Sequence, residues 1–284
     1  MAGAVDAEPG RLHRFSVPLT SFIGRASEVA EVAGLLGGYR MVTVAGPGGV
    51  GKTRLAAEVA AREAARFADG VWLIELAAVT DSGQVAAATA AALGVPQAPG
   101  VEAADSLMAA ICGQQLLLVL DNCEHVAGAV AGLCGTLLRS ADDVRVLATS
   151  REPVGVAGEA RYRLRPLSVP GPEMSGSPDG RDGAELAGSE AIDLFVDRAR
   201  RVDPHFTLTA QIAPHLAAVH QFRWNASVNH NIRHGKPTTW LQHPERFDEQ
   251  ILEPFVGKHL EPVVARALAV LEARRRADGA MLLE

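Results

Sequence analysis

A glycine-rich loop carries the clearest chemistry in this sequence of 284 residues. Residues 46–53 read GPGGVGKT and fit the pattern G-x-x-x-x-G-K-[ST], whose backbone N–H groups cradle phosphate oxygens. Lys52 is suited to the β- and γ-phosphates of a nucleotide, and the hydroxyl of Thr53 is suited to Mg²⁺. An apolar run enters the loop and an alanine-rich segment leaves it, as the motif requires. We therefore predict a nucleoside triphosphate site whose contacts come from Gly46, Gly48, Gly49, Val50, Gly51, Lys52, Thr53 and Arg54.

The second half of this predicted site is an acidic residue at the end of another apolar run. The stretch LLLVLDN ends in Asp121 and Asn122. Mg²⁺ needs a carboxylate at the end of a neighbouring strand, so we predict Asp121 as a metal ligand together with Thr53. Fast P-loop ATPases commonly place a second acid after that carboxylate to activate water, and the amide of Asn122 cannot take a proton at neutral pH. Glu124 is an alternative proton acceptor. We expect at most slow ATP hydrolysis.

An arginine follows a third apolar run, VRVLATSRE. Arg151 comes directly after Thr149 and Ser150, at the edge where predicted parallel strands end. A guanidinium in this place can make a charge-assisted hydrogen bond to a γ-phosphate and so sense whether the third phosphate is present. A surface arginine in a loop is the alternative interpretation. With Lys52 and Asp121, Arg151 completes the set that we predict to act in nucleotide chemistry.

Short apolar runs alternate with alanine-rich segments through the first half of the chain. The runs at 41–46, 71–76, 115–121 and 144–150 are rich in Val, Ile and Leu and are too short for typical helices. Strands of this kind are covered by helices on both faces. A further segment at 162–167 alternates polar with apolar residues and predicts a strand at the edge of the sheet. The sequence thus predicts an α/β fold, a three-layer P-loop sandwich with a parallel sheet.

The composition predicts a folded protein in the cytoplasm. Hydrophobic residues make up 48% of the chain and the net charge is −6, which argues against a chain built to coat nucleic acid or an anionic membrane. The N-terminal residues lack an apolar run typical of a signal peptide, and no apolar stretch is long enough to span a bilayer. The spacing of Cys112, Cys123 and Cys134 fits neither a zinc site nor a disulfide framework, so we expect reduced and mostly buried thiols.

In chain order, these motifs resemble the signal-transduction ATPases of the NB-ARC or STAND type, especially those of actinobacterial LuxR and SARP regulators. The segment LTSFIGRASEVAEVAGLL is similar to the N-terminal motif F-[IV]-G-R-x-x-E of that family, and VLATSREPVGVAGE, YRLRPLSVP and AIDLFVDRAR follow in the family's order. The resemblance covers residues 19–219. It implies that Ile23 and Arg25 border the adenine, that Glu28 lies on the first helix, and that bound ATP or ADP with Mg²⁺ sets an off or on state. It also implies a protein partner or self-association.

The sequence departs from this family after about residue 219. The expected G-L-P-L segment is absent, as are a winged-helix domain, a LuxR-type DNA-binding helix pair and tetratricopeptide repeats, so we expect no specific DNA binding by this chain. A P-loop phosphotransferase and a truncated, non-signalling remnant remain alternative functions. The predicted organisation is an N-terminal arm at 1–18, the nucleotide-binding domain at 19–167, a flexible linker at 168–188, the start of a helical subdomain at 189–220, and an unassigned tail with a C-terminal helix at 221–284.

The tail at 221–284 contains a cluster of histidines. His230 and His234 are four residues apart and His243 is nearby, which is compatible with a metal site on one helix face. Gly235 and Pro237 follow at once, and no acidic or cysteine ligand stands at a recognised spacing. We therefore favour a surface loop over a zinc site and interpret the tail as foreign to the ATPase.

Overall fold

The computed structural model describes residues 11–16, 20–168, 189–202, 204–205 and 207. Its contacts divide the chain into two units, Met1–Arg165 and Pro166–Glu284. The last part of the predicted helical subdomain, most of the predicted linker and the histidine-containing tail lie outside the described residues, so the predictions about them stay predictions.

The first unit contains a sheet of six parallel strands among its described residues. The strands are β1 (Leu12–His13), β2 (Met41–Ala45), β3 (Val71–Glu75), β4 (Leu117–Asp121), β5 (Arg145–Ser150) and β6 (Glu159–Arg163). They lie in the order β1-β3-β4-β5-β2-β6, and every neighbouring pair is parallel. Strand β5 therefore separates β2, which leads into the glycine-rich loop, from β4, which ends at Asp121.

Helices cover both faces of this sheet. The described helices of the first unit are α1 (Ala26–Gly38), α2 (Lys52–Glu63), α3 (Val85–Ala92), α4 (Ala103–Ile111) and α5 (Ala127–Ser140). Residues of α1 and α2 form one buried apolar cluster with one face of the sheet, and residues of α3, α4 and α5 form another with the opposite face. The α/β fold predicted from the sequence is confirmed.

Strand β4 shows why these strands read as continuous apolar runs. Leu117 and Val119 belong to the cluster with α1 and α2, whereas Leu118 and Leu120 belong to the cluster with the other three helices. None of the four is more than 1% exposed. Since alternate side chains enter opposite faces that are both covered, polar residues have no solvated face to occupy.

The two edge strands differ from the sequence prediction. The predicted edge strand at 162–167 instead runs from Glu159 to Arg163, and its register pairs Glu159 with Met41 and Arg163 with Ala45. The side chain of Glu159 has no exposed surface and accepts hydrogen bonds from the N–H groups of Val154 and Gly155, at 2.8 and 3.1 Å. The opposite edge, β1, has only two residues and was not predicted.

The described part of the second unit is dominated by α6 (Glu190–Val202). Ile192 and Ala199 are 2% and 4% exposed, as their helical spacing predicts. The first turn is held by Ser168, whose carbonyl accepts from the Ala191 N–H at 3.1 Å and from the Ser189 hydroxyl at 2.7 Å. The helix thus forms, and the predicted subdomain beyond it lies outside the described residues.

Two further expectations from the sequence concern the burial of the three cysteines and the absence of a membrane-spanning segment. Cys123 and Cys134 are buried, Cys112 is exposed, and all three are free thiols. Burial raises the pKa of the Cys134 thiol to about 12, which makes it a poor nucleophile. None of the helices in the described part of the chain is both long and apolar enough to cross a bilayer.

Candidate nucleotide-binding site

The predicted site residues come together where three neighbouring strands end. Parallel strands bring their carboxyl ends to the same edge of a sheet, which is where ligands of open α/β sheets bind. The glycine-rich loop follows β2, Asp121 ends β4, and Ser150 ends β5 between them. The N–H of Gly46 donates to the carbonyl of Ser150 at 3.2 Å and so joins the start of the loop to β5.

Glycine is required in this loop for two reasons. A Cβ at Gly46 would lie 3.0 Å from the carbonyl oxygen of Leu164, so any other residue there would require this backbone to shift. Gly49 and Gly51 have φ values of 76° and 96°, in the region that glycine adopts without strain. A Cβ added at either of these positions, or at Gly48, would meet nothing within 4 Å. The backbone of the loop therefore faces open space at the N-terminus of α2, as an anion cradle requires.

Lys52 is the first residue of α2 and is held by the loop itself. Its Nζ donates to the carbonyls of Gly46 and Pro47, at 2.9 and 3.0 Å. Burial lowers the pKa of Lys52, and the positive charge of Arg151 lowers it further, while the negative charges of Glu124 and Asp121 oppose this. The ammonium group is thus partly desolvated and lies in the field of three charged neighbours, so an anion entering the loop gains more from it than from an exposed lysine.

Asp121 accepts hydrogen bonds from two threonines. The Thr53 hydroxyl lies 2.8 and 3.0 Å from the two carboxylate oxygens, and the Thr149 hydroxyl lies 2.5 Å from one of them. Thr149 Oγ1 also accepts from the N–H of Asn122 at 3.0 Å. These contacts fix the carboxylate beside the start of α2. The structure therefore places the two predicted Mg²⁺ ligands in contact with each other.

Asn122 has a conformational role that the sequence did not reveal. Its φ and ψ are 64° and 50°, in the left-handed region that asparagine tolerates better than most residues. This turn ends β4 and begins the short helical segment Cys123–His125, which carries Glu124. Glu124 Oε1 accepts from Arg151 Nε at 3.0 Å. The predicted phosphate sensor and the alternative proton acceptor are therefore paired with each other.

The residues before α1 hold the glycine-rich loop from the other side. Arg25 is 4% exposed, and its Nη2 donates to the carbonyls of Val50 and Arg165, at 2.9 and 3.0 Å. Glu28 Oε1 lies 3.6 Å from Arg25 Nη1. Ile23 is partly buried just before this arginine. Arg25 thus contacts the backbone of the loop, whereas the adenine contacts implied by the resemblance stay a prediction.

Arg54 contacts the N-terminal segment that precedes α1. Its Nη2 donates to the carbonyl of Thr20 at 2.9 Å and lies 3.1 Å from Glu58 Oε1. Its guanidinium carbon lies 5.7 Å from the centre of the Phe22 ring, within reach of a cation–π contact. These contacts fix the segment before α1 against α2.

The site fits a nucleotide with Mg²⁺. A hydroxyl and a carboxylate supply hard oxygen ligands, which Mg²⁺ prefers, and it usually completes its octahedron with water and phosphate oxygens. In the described part of the chain, no three His, Cys, Asp or Glu side chains group together as a metal site of their own. Thr53 and Asp121 would hold the Mg²⁺ ion, which would neutralise phosphate charge. The glycine-rich loop and Lys52 would hold the phosphates.

Comparisons with known proteins identify relatives in mycobacteria. No known protein-family profile matches this chain. An uncharacterized protein of Mycobacterium tuberculosis H37Rv is 42% identical over 195 residues, which is 69% of this chain and 45% of that protein. A "Putative HTH-type transcriptional regulator" of the same strain is 44% identical over 184 residues, which is 65% of this chain and 18% of that protein. The chain therefore spans less than half the length of each of these relatives.

The solved structures to which this chain is similar have low sequence identity to it. A STAND protein with a tetratricopeptide repeat sensor from Pyrococcus horikoshii is 15% identical with a TM-score of 0.43, and the match covers 72% of this chain and 28% of that one. Cdc6p from Pyrobaculum aerophilum is 16% identical with a TM-score of 0.41, and the match covers 55% of this chain and 48% of that one. The fold of this chain is an α/β P-loop fold, built on the parallel sheet and the loop after β2.

Proposed function

We propose that this chain binds ATP or ADP with Mg²⁺ and acts as the nucleotide-binding module of a regulatory switch. One observation carries the proposal: Lys52, Thr53, Asp121 and the Arg151–Glu124 pair meet at one edge of the sheet, in front of an open phosphate loop. In this proposal the constellation binds phosphates and a metal ion, and Arg151 is the further cation that responds to a third phosphate.

Each residue has a distinct part in the proposed binding. Lys52 neutralises the phosphates, and the N–H groups of the loop donate to their oxygens. Thr53 and Asp121 ligate Mg²⁺, with Thr149 holding the carboxylate in place. Arg151 responds to the γ-phosphate, because ADP cannot offer it a charge-assisted hydrogen bond at that position.

Slow hydrolysis is part of the same proposal. Asn122 is neutral, so it cannot accept a proton from water at neutral pH. Glu124 is the alternative proton acceptor, and its carboxylate already accepts from Arg151 at 3.0 Å. A site that binds phosphates well and activates water poorly suits a protein that holds its nucleotide as a signal.

The regulatory context is supported by the relatives, although this chain covers only part of them. The region of 184 matched residues belongs to a much longer protein with a transcriptional-regulator name. We propose a protein partner or self-association as the means by which the nucleotide state is passed on. DNA recognition is not assigned to this chain.

The nucleotide that co-purifies with the chain tests the proposal. The protein is purified without added nucleotide, denatured, and its released nucleotide is identified by chromatography and counted per chain. Retained ADP or ATP together with turnover well below about 1 s⁻¹, the lower end for phosphoryl-transfer kinases, supports a switch. Rapid turnover with an empty site, or transfer of phosphate to a small acceptor, would instead support the phosphotransferase alternative.

A further inference from the structure

Glu124 and Arg151 form an ion pair just after the ends of β4 and β5. Arg151 Nε donates to Glu124 Oε1 at 3.0 Å, and the two side chains are 44% and 19% exposed. The other carboxylate oxygen, Glu124 Oε2, is buried and has no hydrogen-bond partner among the described residues. The charge of Arg151 is therefore already paired, through one of the five N–H donors of its guanidinium, and Glu124 Oε2 is left as an unused acceptor.

The backbone fixes both members of this pair. The left-handed turn at Asn122 is held by the hydrogen bond from its N–H to Thr149, two residues before Arg151. After it, Cys123 is fully buried, and its thiol lies 3.3 Å from the carbonyl of Leu120. Glu124 and Arg151 thus extend from two adjacent strand ends that are tied together, so their pairing follows from the fold rather than from two free surface side chains.

We propose that Glu124 competes with the terminal phosphate for Arg151 and thereby sets the selectivity of the site between ATP and ADP. This inference rests on the proposed nucleotide-binding function. The γ-phosphate of ATP shares the charge of Arg151 with Glu124 and gains its full strength only as the Glu124–Arg151 pair loosens, whereas ADP leaves the pair intact. Glu124 therefore weakens ATP binding selectively, and the ion pair is the form of the site that favours ADP.

Calorimetric titration of the full chain with ADP and with a non-hydrolysable ATP analogue, both with Mg²⁺, tests this inference. Glu124→Gln removes the charge and keeps the shape. We expect it to raise the affinity for the analogue about threefold to tenfold over the change for ADP, the range set by a partly exposed ion pair and a charge-assisted hydrogen bond. An unchanged or lowered ratio of the two affinities would overturn the inference.

Two further variants separate competition from a general effect of charge. In an Arg151→Gln background, Glu124→Gln should no longer change the ratio of the affinities, since the arginine to be released is gone. An equal rise in the ratio of ATP-analogue affinity to ADP affinity in that background would mean simple repulsion between Glu124 and the phosphates. It would contradict competition for Arg151. Glu124→Asp keeps the charge but shortens the reach to Arg151, so it should raise the ratio in the same direction as Glu124→Gln.

The control is Asp142→Asn, which neutralises an acid with a 97% exposed side chain just before β5, at the opposite end of that strand. It should leave both affinities unchanged. Circular dichroism melting of each variant confirms that folding is intact before titration. Absence of nucleotide binding by the wild-type chain would refute the proposed function itself, whereas wild-type binding with an unchanged ratio in Glu124→Gln would refute only the competition.

Discussion

Replacing Thr149 by valine tests how the metal-binding carboxylate is held. The Thr149 hydroxyl donates to Asp121 at 2.5 Å and accepts from the Asn122 N–H at 3.0 Å. Valine has nearly the same shape and can do neither. The residue is 1% exposed, so water does not simply replace the hydroxyl. We expect the variant to lose both stability and the correct placement of Asp121.

The size of the effect follows from these two hydrogen bonds. A neutral hydrogen bond contributes about 1 kcal/mol and one to a charged group about 1.5–3 kcal/mol. Asp121 is partly exposed and can recover some hydration, so we expect a loss of about 2 kcal/mol, or about 4–8 °C in melting temperature for a protein of this size. Removing a group that orients a metal ligand typically costs about tenfold or more in metal affinity, so Mg²⁺-dependent ATP binding should fall about tenfold.

The assay is calorimetric ATP titration with and without Mg²⁺, beside thermal melting. The matched control is Thr89→Val, which removes a buried hydroxyl that donates to Val85 O at 2.8 Å in α3, away from the site. Thr89→Val should lower stability and leave the Mg²⁺ dependence of binding unchanged. The reasoning is refuted if Thr149→Val destabilises the protein yet keeps the wild-type gain in ATP affinity on adding Mg²⁺.

Four other predictions concern the turn at Asn122, the buried acid Glu159 and DNA. Asn122→Ala should destabilise the protein by about 1 kcal/mol, measured by urea unfolding, because alanine is strained at positive φ. Aspartate tolerates this turn, so Asn122→Asp should stay folded and raise ATP turnover. Unchanged turnover would contradict the view that a missing acid limits hydrolysis. Burial opposes ionisation of Glu159, but hydrogen bonds outweigh it and the net pKa of its carboxyl is lowered. Stability from Glu159 is therefore present above its unfolded-state pKa and is lost as the pH falls through the lower native pKa, so Glu159→Gln should cost about 2 kcal/mol at pH 7 and less in acid. An equal cost at both pH values would refute this. Gel-shift assays should show no sequence-specific DNA retention by the chain alone.

The parts of the fold that were predictable have strong local signals. The runs of β2 to β5 are continuous and apolar because helices cover both faces, and buried β4 is the clearest case. The phosphate loop was visible because its glycines and Lys52 stand at a fixed spacing, and Gly49 and Gly51 adopt the positive φ that favours glycine. The position of Asp121 at the shared edge followed from the rule that parallel strands end on one side.

Features that depend on strand order were not predictable from local patterns. The partnership of Thr149 with Asp121 arises because β5 lies beside β4, and the only sequence signal was a threonine near the end of a strand. The contact of Arg25 with Val50 joins residues far apart in sequence. Strand β1 has two residues, too few for any periodicity, and exists because it pairs with β3.

Calorimetric titration of ATP with Mg²⁺ into the wild-type chain and Lys52→Ala tests the central claim most directly. Arg139→Ala, which removes an exposed cation of α5, is the control for charge. If the loop holds the phosphates, the wild-type chain and Arg139→Ala bind ATP alike, and Lys52→Ala shows no detectable binding while its circular dichroism spectrum is unchanged. Equal ATP affinity of Lys52→Ala and the wild-type chain would contradict the phosphate-loop assignment.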